Sequence, residues 1–350
     1  MESSRVEVSK VQVDFAPKGV PYGVILPPGY ERSGPMPLCL VLHGGGGNHQ
    51  NMIDSKALFD DLWANKAIPP MVFASASTSP LGFYLDHADG SASWERFIAL
   101  DFIAHLRRTY NLRADRDSTV ISGVSMGGHG SLRIAFRHPE QFAAVAALEP
   151  ALDPALRVDE VGERNRFFYP LVMDAGGDHT ADKLIGKNRD AALFDANNPA
   201  NLAIANADAI RASGLAIFVE AADQDVFNLH DGAEFLHRVL WDLDIAHEYR
   251  VARGADHVGP TLGPRMRAAY SWVGSILTAP KGQEDEPTAE ERAWVEFMES
   301  GLRGTPPVID AASPAMIRAY RRWLASARER TTKIDSTTNR RYGVLPFKKS

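Results

Sequence analysis

Ser125 lies in Gly123-Val124-Ser125-Met126-Gly127, between the β-branched run Ser118-Thr119-Val120-Ile121-Ser122 and the helix-like stretch Gly128 to Arg137. G-x-S-x-G at a strand-to-helix junction forms a turn so sharp that side chains at its glycines would strike neighbouring backbone. The serine hydroxyl is left at the tip, placed to attack a carbonyl. A hydroxyl is a weak nucleophile, so this chemistry requires a base to take its proton and an acid to orient that base. Both occur downstream. Leu215 to Ala221 reads as a strand ending in the turn Ala222-Asp223-Gln224-Asp225, and Ala246 to Val251 reads as a strand leading to Gly254-Ala255-Asp256-His257. His257 is the candidate base. Asp225 is the candidate acid, with Asp223 in reserve and Glu149 or Asp153, one strand earlier, as a further reserve.

Acyl chemistry also needs N–H donors for the oxygen that becomes negative on attack. His43-Gly44-Gly45-Gly46-Gly47-Asn48 follows the apolar run Leu38-Cys39-Leu40-Val41-Leu42. Glycines suit a loop whose backbone approaches a substrate closely. The donors are assigned to the amides of Gly45 and Met126. A phosphate-binding loop is excluded, because neither G-x-G-x-x-G nor a Lys-Ser/Thr pair follows.

Eight strand-like runs interleave with helical stretches: Val6 to Phe15, Val20 to Leu26, Leu38 to Leu42, Met71 to Ser75, Thr119 to Ser122, Ala143 to Leu148, Leu215 to Ala221 and His247 to Val251. Strands separated by helices predict a mostly parallel sheet with ligands outside the carboxyl ends of its strands. Gly45, Ser125, Asp225 and His257 all fall at such ends. With His43 to Gly47, Trp94-Glu95-Arg96-Phe97-Ile98, Gly123 to Gly128, Asn198-Pro199 and Asp256-His257, the chain resembles the esterase D type of α/β-hydrolase over roughly residues 10 to 279. That group includes S-formylglutathione hydrolases, feruloyl and acetylxylan esterases and mycolyltransferases. The resemblance implies an α/β-hydrolase fold and a carboxylic ester hydrolase with Ser125, Asp225 and His257 as triad and no cofactor. The chain departs from the pattern where Ala222 replaces a glycine of the acid turn and where Leu148-Glu149-Pro150 replaces a small Ser-Gly turn. No cysteine lies near Ser125, which disfavours a formylglutathione substrate.

Two appendages are expected. About 60 residues separate the strands ending at Leu148 and starting at Leu215, longer than an ordinary connection, and the segment of about 151–214 is read as a cap over the site. Phe167 and Phe168 in the cap, with Gly44, Trp94, Glu149 and Phe227, are candidate substrate contacts; Tyr84 is a similar case. Glu149 is read as contacting substrate or binding Arg157 or another local cation. The catalytic domain spans 1–280. Beyond it, 281–350 form a helical extension: Thr288-Ala289-Glu290-Glu291 is a capping box, and Ser313-Pro314 opens a helix carrying Met316, Ile317, Tyr320, Trp323 and Leu324 on one face. Residues 312–350 hold ten basic and two acidic residues, a net of +8 against −6 for the whole chain. This basic segment is expected to dock on an acidic surface, bracing the cap or a homodimer.

The chain has 350 residues, 45 % of them hydrophobic and 23 % charged, which fits a globular enzyme. No basic stripe points to nucleic acid, no run reaches a membrane span, and the N-terminus lacks an apolar leader, so a cytoplasmic location is expected. The single cysteine, Cys39, excludes an intrachain disulfide. Eleven histidines form no metal-ligand spacing. His43 and His129 flank the catalytic loops and are expected to orient them. An acyltransferase, a lactonase or an amidase would use the same residues, and a binding module with a dead site is the alternative from another class.

Overall fold

The computed structural model describes residues 3–157, 160, 191–278, 289–300 and 303. Eight strands form one sheet: β1 (Arg5–Val13), β2 (Ala16–Leu26), β3 (Leu38–Leu42), β4 (Val72–Ala76), β5 (Thr119–Val124), β6 (Ala144–Leu148), β7 (Ala216–Ala222) and β8 (Glu248–Ala252). Their order is β1-β2-β4-β3-β5-β6-β7-β8. β2 pairs antiparallel with both β1 and β4, and the remaining neighbouring pairs are parallel. This is the mostly parallel sheet expected from the alternation of strands and helices, in the α/β-hydrolase fold that the resemblance implies.

The central strands are buried on both faces, so they read as continuous apolar runs rather than alternating ones. Their period of two still sorts side chains between two cores. Leu38, Leu40 and Leu42 of β3, Ile121 of β5, Val145 and Ala147 of β6, and Ile217 and Val219 of β7 enter one core. Cys39, Val41, Val120, Ala144, Ala146 and Phe218 enter the other. Helices α1 (Lys56–Ala64) and α4 (Leu262–Thr278) cover the second face through Phe59, Leu62, Met266, Ala269, Tyr270 and Val273. Helices α2 (Met126–Arg137) and α3 (Leu229–Asp242) cover the first through Leu132, Ala135, Leu236 and Leu240. Burial pushes the Cys39 thiol up to about 12, which leaves it an inert core residue.

The parallel strands are in register at their carboxyl ends, with Leu42 opposite Gly123, Val124 opposite Leu148, and Leu148 opposite Glu220. Loops leaving β3, β5, β6, β7 and β8 therefore emerge on one edge. Asn198 fixes the base of the long insertion: its side chain accepts from the Ala200 amide at 3.0 Å and donates to the Ala155 carbonyl at 2.9 Å. The middle of that insertion, with Phe167 and Phe168, lies outside the described residues.

By contacts the chain divides into two compact units, with the division at Ala279 and Pro280. The described part of the second unit contains α5 (Ala289–Glu299). The helix expected from Ser313 and the basic segment beyond it lie outside the described residues. Among the described residues, no helix is long and apolar enough to cross a membrane.

Candidate active site

The turn after β5 has no room for side chains at its glycines. A Cβ on Gly123 would stand 2.3 Å from the Gly127 carbonyl, and one on Gly127 would stand 2.1 Å from the Leu42 oxygen. Both contacts are with backbone, which cannot swing away. Ser125 between them takes φ 60 and ψ −120, a region that ordinary residues avoid at a cost on the order of 1–3 kcal/mol. Its backbone is held on three sides. Its N–H donates to Leu148 at 2.9 Å, and its carbonyl accepts from His129 at 3.0 Å and Ala151 at 3.2 Å.

His257 reaches this serine. Its Nε2 lies 3.1 Å from Ser125 Oγ, and its Nδ1 lies 2.8 Å from Asp225 Oδ2. Asp225 is 3 % exposed and His257 7 %. An ionised Asp225 accepts the Nδ1 proton, which leaves Nε2 with a lone pair facing the hydroxyl. The Phe227 amide donates to Asp225 Oδ1 at 2.7 Å, and the Phe227 ring meets His257 edge-on at 4.9 Å. Phe227, a candidate substrate contact in the sequence, packs here against both Asp225 and His257. Asp223 faces elsewhere: it accepts from the Gly254 amide at 2.6 Å and pairs with Arg253 at 3.1 Å, tying the turn after β7 to the loop after β8.

The glycine loop comes alongside. A Cβ on Gly44 would stand 3.5 Å from the Val124 carbonyl and 3.7 Å from Ser125 Cβ, ordinary contact distances, so the loop backbone lies directly beside the Ser125 turn. The Gly46 amide donates to Pro80 at 2.7 Å and the Gly47 amide to Gly44 at 3.0 Å. Among the described residues, neither the Gly45 nor the Met126 amide has a hydrogen-bond acceptor. His43 supports the loop from beneath. Its Nε2 accepts from the Thr78 amide at 3.2 Å, which places the ring proton on Nδ1 for donation to the Gly44 carbonyl at 2.9 Å. Burial pushes its pKa down and keeps it neutral. Tyr84, at φ 60, donates its hydroxyl to the His43 carbonyl at 2.9 Å. On the other side of the nucleophile, His129 donates from Nδ1 to Ala151 at 2.9 Å, with its pKa pushed down to about 3 by burial and by Arg133. Both histidines orient loops, as expected.

Glu149 is where the sequence reading needs correction. It is 0 % exposed, in a left-handed conformation at φ 44, and ion-paired with Arg265 in the first turn of α4, not with Arg157. Arg265 Nη2 donates to the carbonyls of Asp256 at 2.9 Å and His257 at 3.0 Å, and Nη1 lies 3.4 Å from Glu220. Burial pushes Glu220 up to about 7, with Arg250 opposing. Arg265 was absent from the sequence reading. One signal existed: a cation in a helix's first turn opposes the helix dipole and needs an anionic partner to sit there. Trp94 packs edge-on against Phe15 at 4.9 Å and Phe97 at 6.0 Å, and no described contact joins it to the triad. Asp153 is buried, with its carboxyl pushed up to about 7 first by burial and then by Asp195; the described structure joins it to His257 by no contact.

Beneath the site, Glu95 is another residue whose placement the sequence hides. It pairs with the fully buried Arg133, with Arg137 at 2.8 Å and with His138 at 3.2 Å. Burial alone would raise its pKa, but these cations bring it down to about 2. Arg133 also donates to the Tyr84 carbonyl, so α2 is tied to the Tyr84 segment, whose hydroxyl in turn holds the His43 carbonyl.

Known proteins share this arrangement of strands. A ferulic acid esterase superposes with a TM-score of 0.63 at 18 % identity, covering 79 % of this chain and all of its own. Fluorophosphonate-binding serine hydrolase F of Staphylococcus aureus superposes with a TM-score of 0.62 at 18 % identity, covering 79 % and 99 %. In sequence, an S-formylglutathione hydrolase of Paracoccus denitrificans is 29 % identical over 154 residues, 38 % of this chain and 53 % of its own length. An acetyl esterase of Caldicellulosiruptor saccharolyticus is 28 % identical over 113 residues, 32 % and 40 %. The chain thus spans about half or less of the length of the curated relatives it matches. The model of the family described as "Putative esterase" matches residues 18–277, most of the chain, and the chain belongs to that esterase family.

Proposed function

We propose that the chain is a serine hydrolase that cleaves a carboxylic ester through Ser125, His257 and Asp225 and an acyl-enzyme. The carrying observation is the continuous path Ser125 Oγ, His257 Nε2, His257 Nδ1, Asp225 Oδ2, with spacings of 3.1 and 2.8 Å. In acylation, Nε2 takes the Oγ proton as Oγ bonds to the ester carbonyl carbon. The carbonyl oxygen becomes an oxyanion and accepts from the Gly45 and Met126 amides. The tetrahedral intermediate then collapses: the bond to the alcohol oxygen breaks, and the imidazolium returns its proton to that oxygen. Water repeats the sequence on the acyl-enzyme and releases the acid. Asp225 holds the tautomer and stabilises the positive ring throughout.

Membership of an esterase family supports this reading. The test is turnover of small aryl esters, with the fate of the acyl group followed in the presence of added alcohols. A rate at least about 10⁶-fold above the uncatalysed reaction is expected, with the free acid as the main product. A new ester of the added alcohol as the dominant product would make the chain an acyltransferase, and no release above the buffer rate would contradict the reading.

A further inference from the structure

Glu149 places a second carboxylate beside the base. One of its oxygens, one from Asp225 and a His257 ring nitrogen all lie within 4.8 Å of one another. One Glu149 oxygen receives Arg265 Nη1; the other, Oε2, is buried and has no hydrogen-bond partner among the described residues. A buried carboxylate oxygen left unpaired is costly unless a neighbouring charge compensates it. The charged groups around His257 are Asp225 after β7, Glu149 after β6, Asp256 beside it, whose Oδ1 accepts from the His257 amide at 2.6 Å, and Arg265 of α4, which grips the His257 carbonyl and lies 3.4 Å from Glu220 in β7. Asp225 and Glu149 thus place two carboxylates beside the ring that takes the serine proton.

We propose that Glu149 is a positioning residue for His257 in two ways: it anchors the Arg265 side chain that grips the histidine's backbone, and it is a reserve acid able to stabilise the imidazolium when Asp225 is missing. This rests on the Ser125–His257–Asp225 reading. Its source in the sequence is Glu149 directly after Leu148, which puts a long acidic side chain at the end of the strand next to β7. Glutamine at 149 keeps an oxygen for Arg265 and removes the charge. The two contributions therefore separate.

The test is a double-mutant cycle on kcat for an aryl ester using Asp225→Ala and Glu149→Gln, with thermal melts of every variant. With Asp225 present, Glu149→Gln is expected to lower kcat by about 5-fold or less and to leave KM nearly unchanged. In the Asp225→Ala background the same change is expected to cost about 20-fold or more, and Glu149→Asp, which keeps the charge, to restore most of that loss. Equal factors in the two backgrounds would overturn the reserve role and leave Glu149 a support for Arg265 only. Should the double variant fail to fold, the same cycle is run with Asp225→Asn, which keeps the shape of the acid: Glu149→Gln is expected to cost about 20-fold or more in kcat in the Asp225→Asn background and about 5-fold or less beside Asp225, and equal factors overturn the proposal. The triad reading fails separately, since Asp225→Ala alone would then leave kcat unchanged.

Discussion

Replacing Ser125 with alanine is expected to reduce kcat on a small aryl ester by about 10⁴-fold or more while leaving the protein folded. The loss is large because, among the described residues, no other hydroxyl bonds His257 Nε2 in place of Ser125 Oγ at 3.1 Å, so the covalent route closes. What survives is the contribution of the Gly45 and Met126 amides and of substrate binding, typically about 10³-fold over water. The fold should tolerate the change. Ser125 is held through its backbone, by Leu148, His129 and Ala151, and alanine at φ 60 is strained no more than serine. Steady-state kinetics with a circular dichroism melt checks both halves. A rate within tenfold of the parent would remove Ser125 from the mechanism.

The two aspartates of the β7 turn are expected to separate widely. Asp225→Ala leaves the His257 Nδ1 proton without its acceptor and removes a negative charge from beside a ring that must become positive, so kcat should fall by about 10²–10⁴-fold. Asp223→Ala removes the acceptor for the Gly254 amide and the pair with the exposed Arg253, neither of which touches the ring. Its cost should be structural, about 0.5–1.5 kcal/mol of stability, with activity changed less than about 5-fold. The reverse ranking of the two variants in a turnover assay would reassign the acid.

Much of this was legible in the chain because the chemistry is ordered along it. Each of the eight strands is a short apolar or β-branched run bounded by turn residues, and each functional group follows a strand directly. Parallel strands in register then bring those loop ends together without any long-range information. Asp225 is preferred over Asp223 by analogy with the G-x-x-D acid turn of the α/β-hydrolase arrangement, Ala222 standing in the glycine position. What stayed hidden depends on partners far apart in sequence. Arg265 and Glu149 are 116 residues apart, and Glu149 read as a lone carboxylate at a strand end. Arg133 reads as an ordinary helix residue, yet it is 0 % exposed and neutralised by Glu95, a pairing that exists only once α2 lies against the Trp94 segment. Phe227 was placed near the site by its neighbour Asp225, but the edge-on contact with His257 needs the fold of the following loop.

Buried charge recurs in this molecule where loops must hold their shape. Glu95 with Arg133 secures the Tyr84 segment under His43, and Glu149 with Arg265 secures the segment carrying His257. Such pairs contribute little net stability, because desolvation offsets most of their attraction, but losing one partner strands the other. They are suited to fixing geometry. The strained backbone at Ser125 and Glu149 has the same character: both residues carry φ above 40° and both lie on the edge where the loops converge.

The central claim is that His257 and Asp225 make the Ser125 hydroxyl a nucleophile. A fluorophosphonate tests it directly, since Oγ displaces fluoride at phosphorus, the proton passes to His257, and a phosphonyl–serine bond remains. Mass spectrometry after brief incubation should show one adduct per chain, on the peptide carrying Ser125, with no adduct in Ser125→Ala and much slower labelling in His257→Ala. An unlabelled Ser125 in a chain that still turns over esters, or an adduct on another residue, would contradict the account.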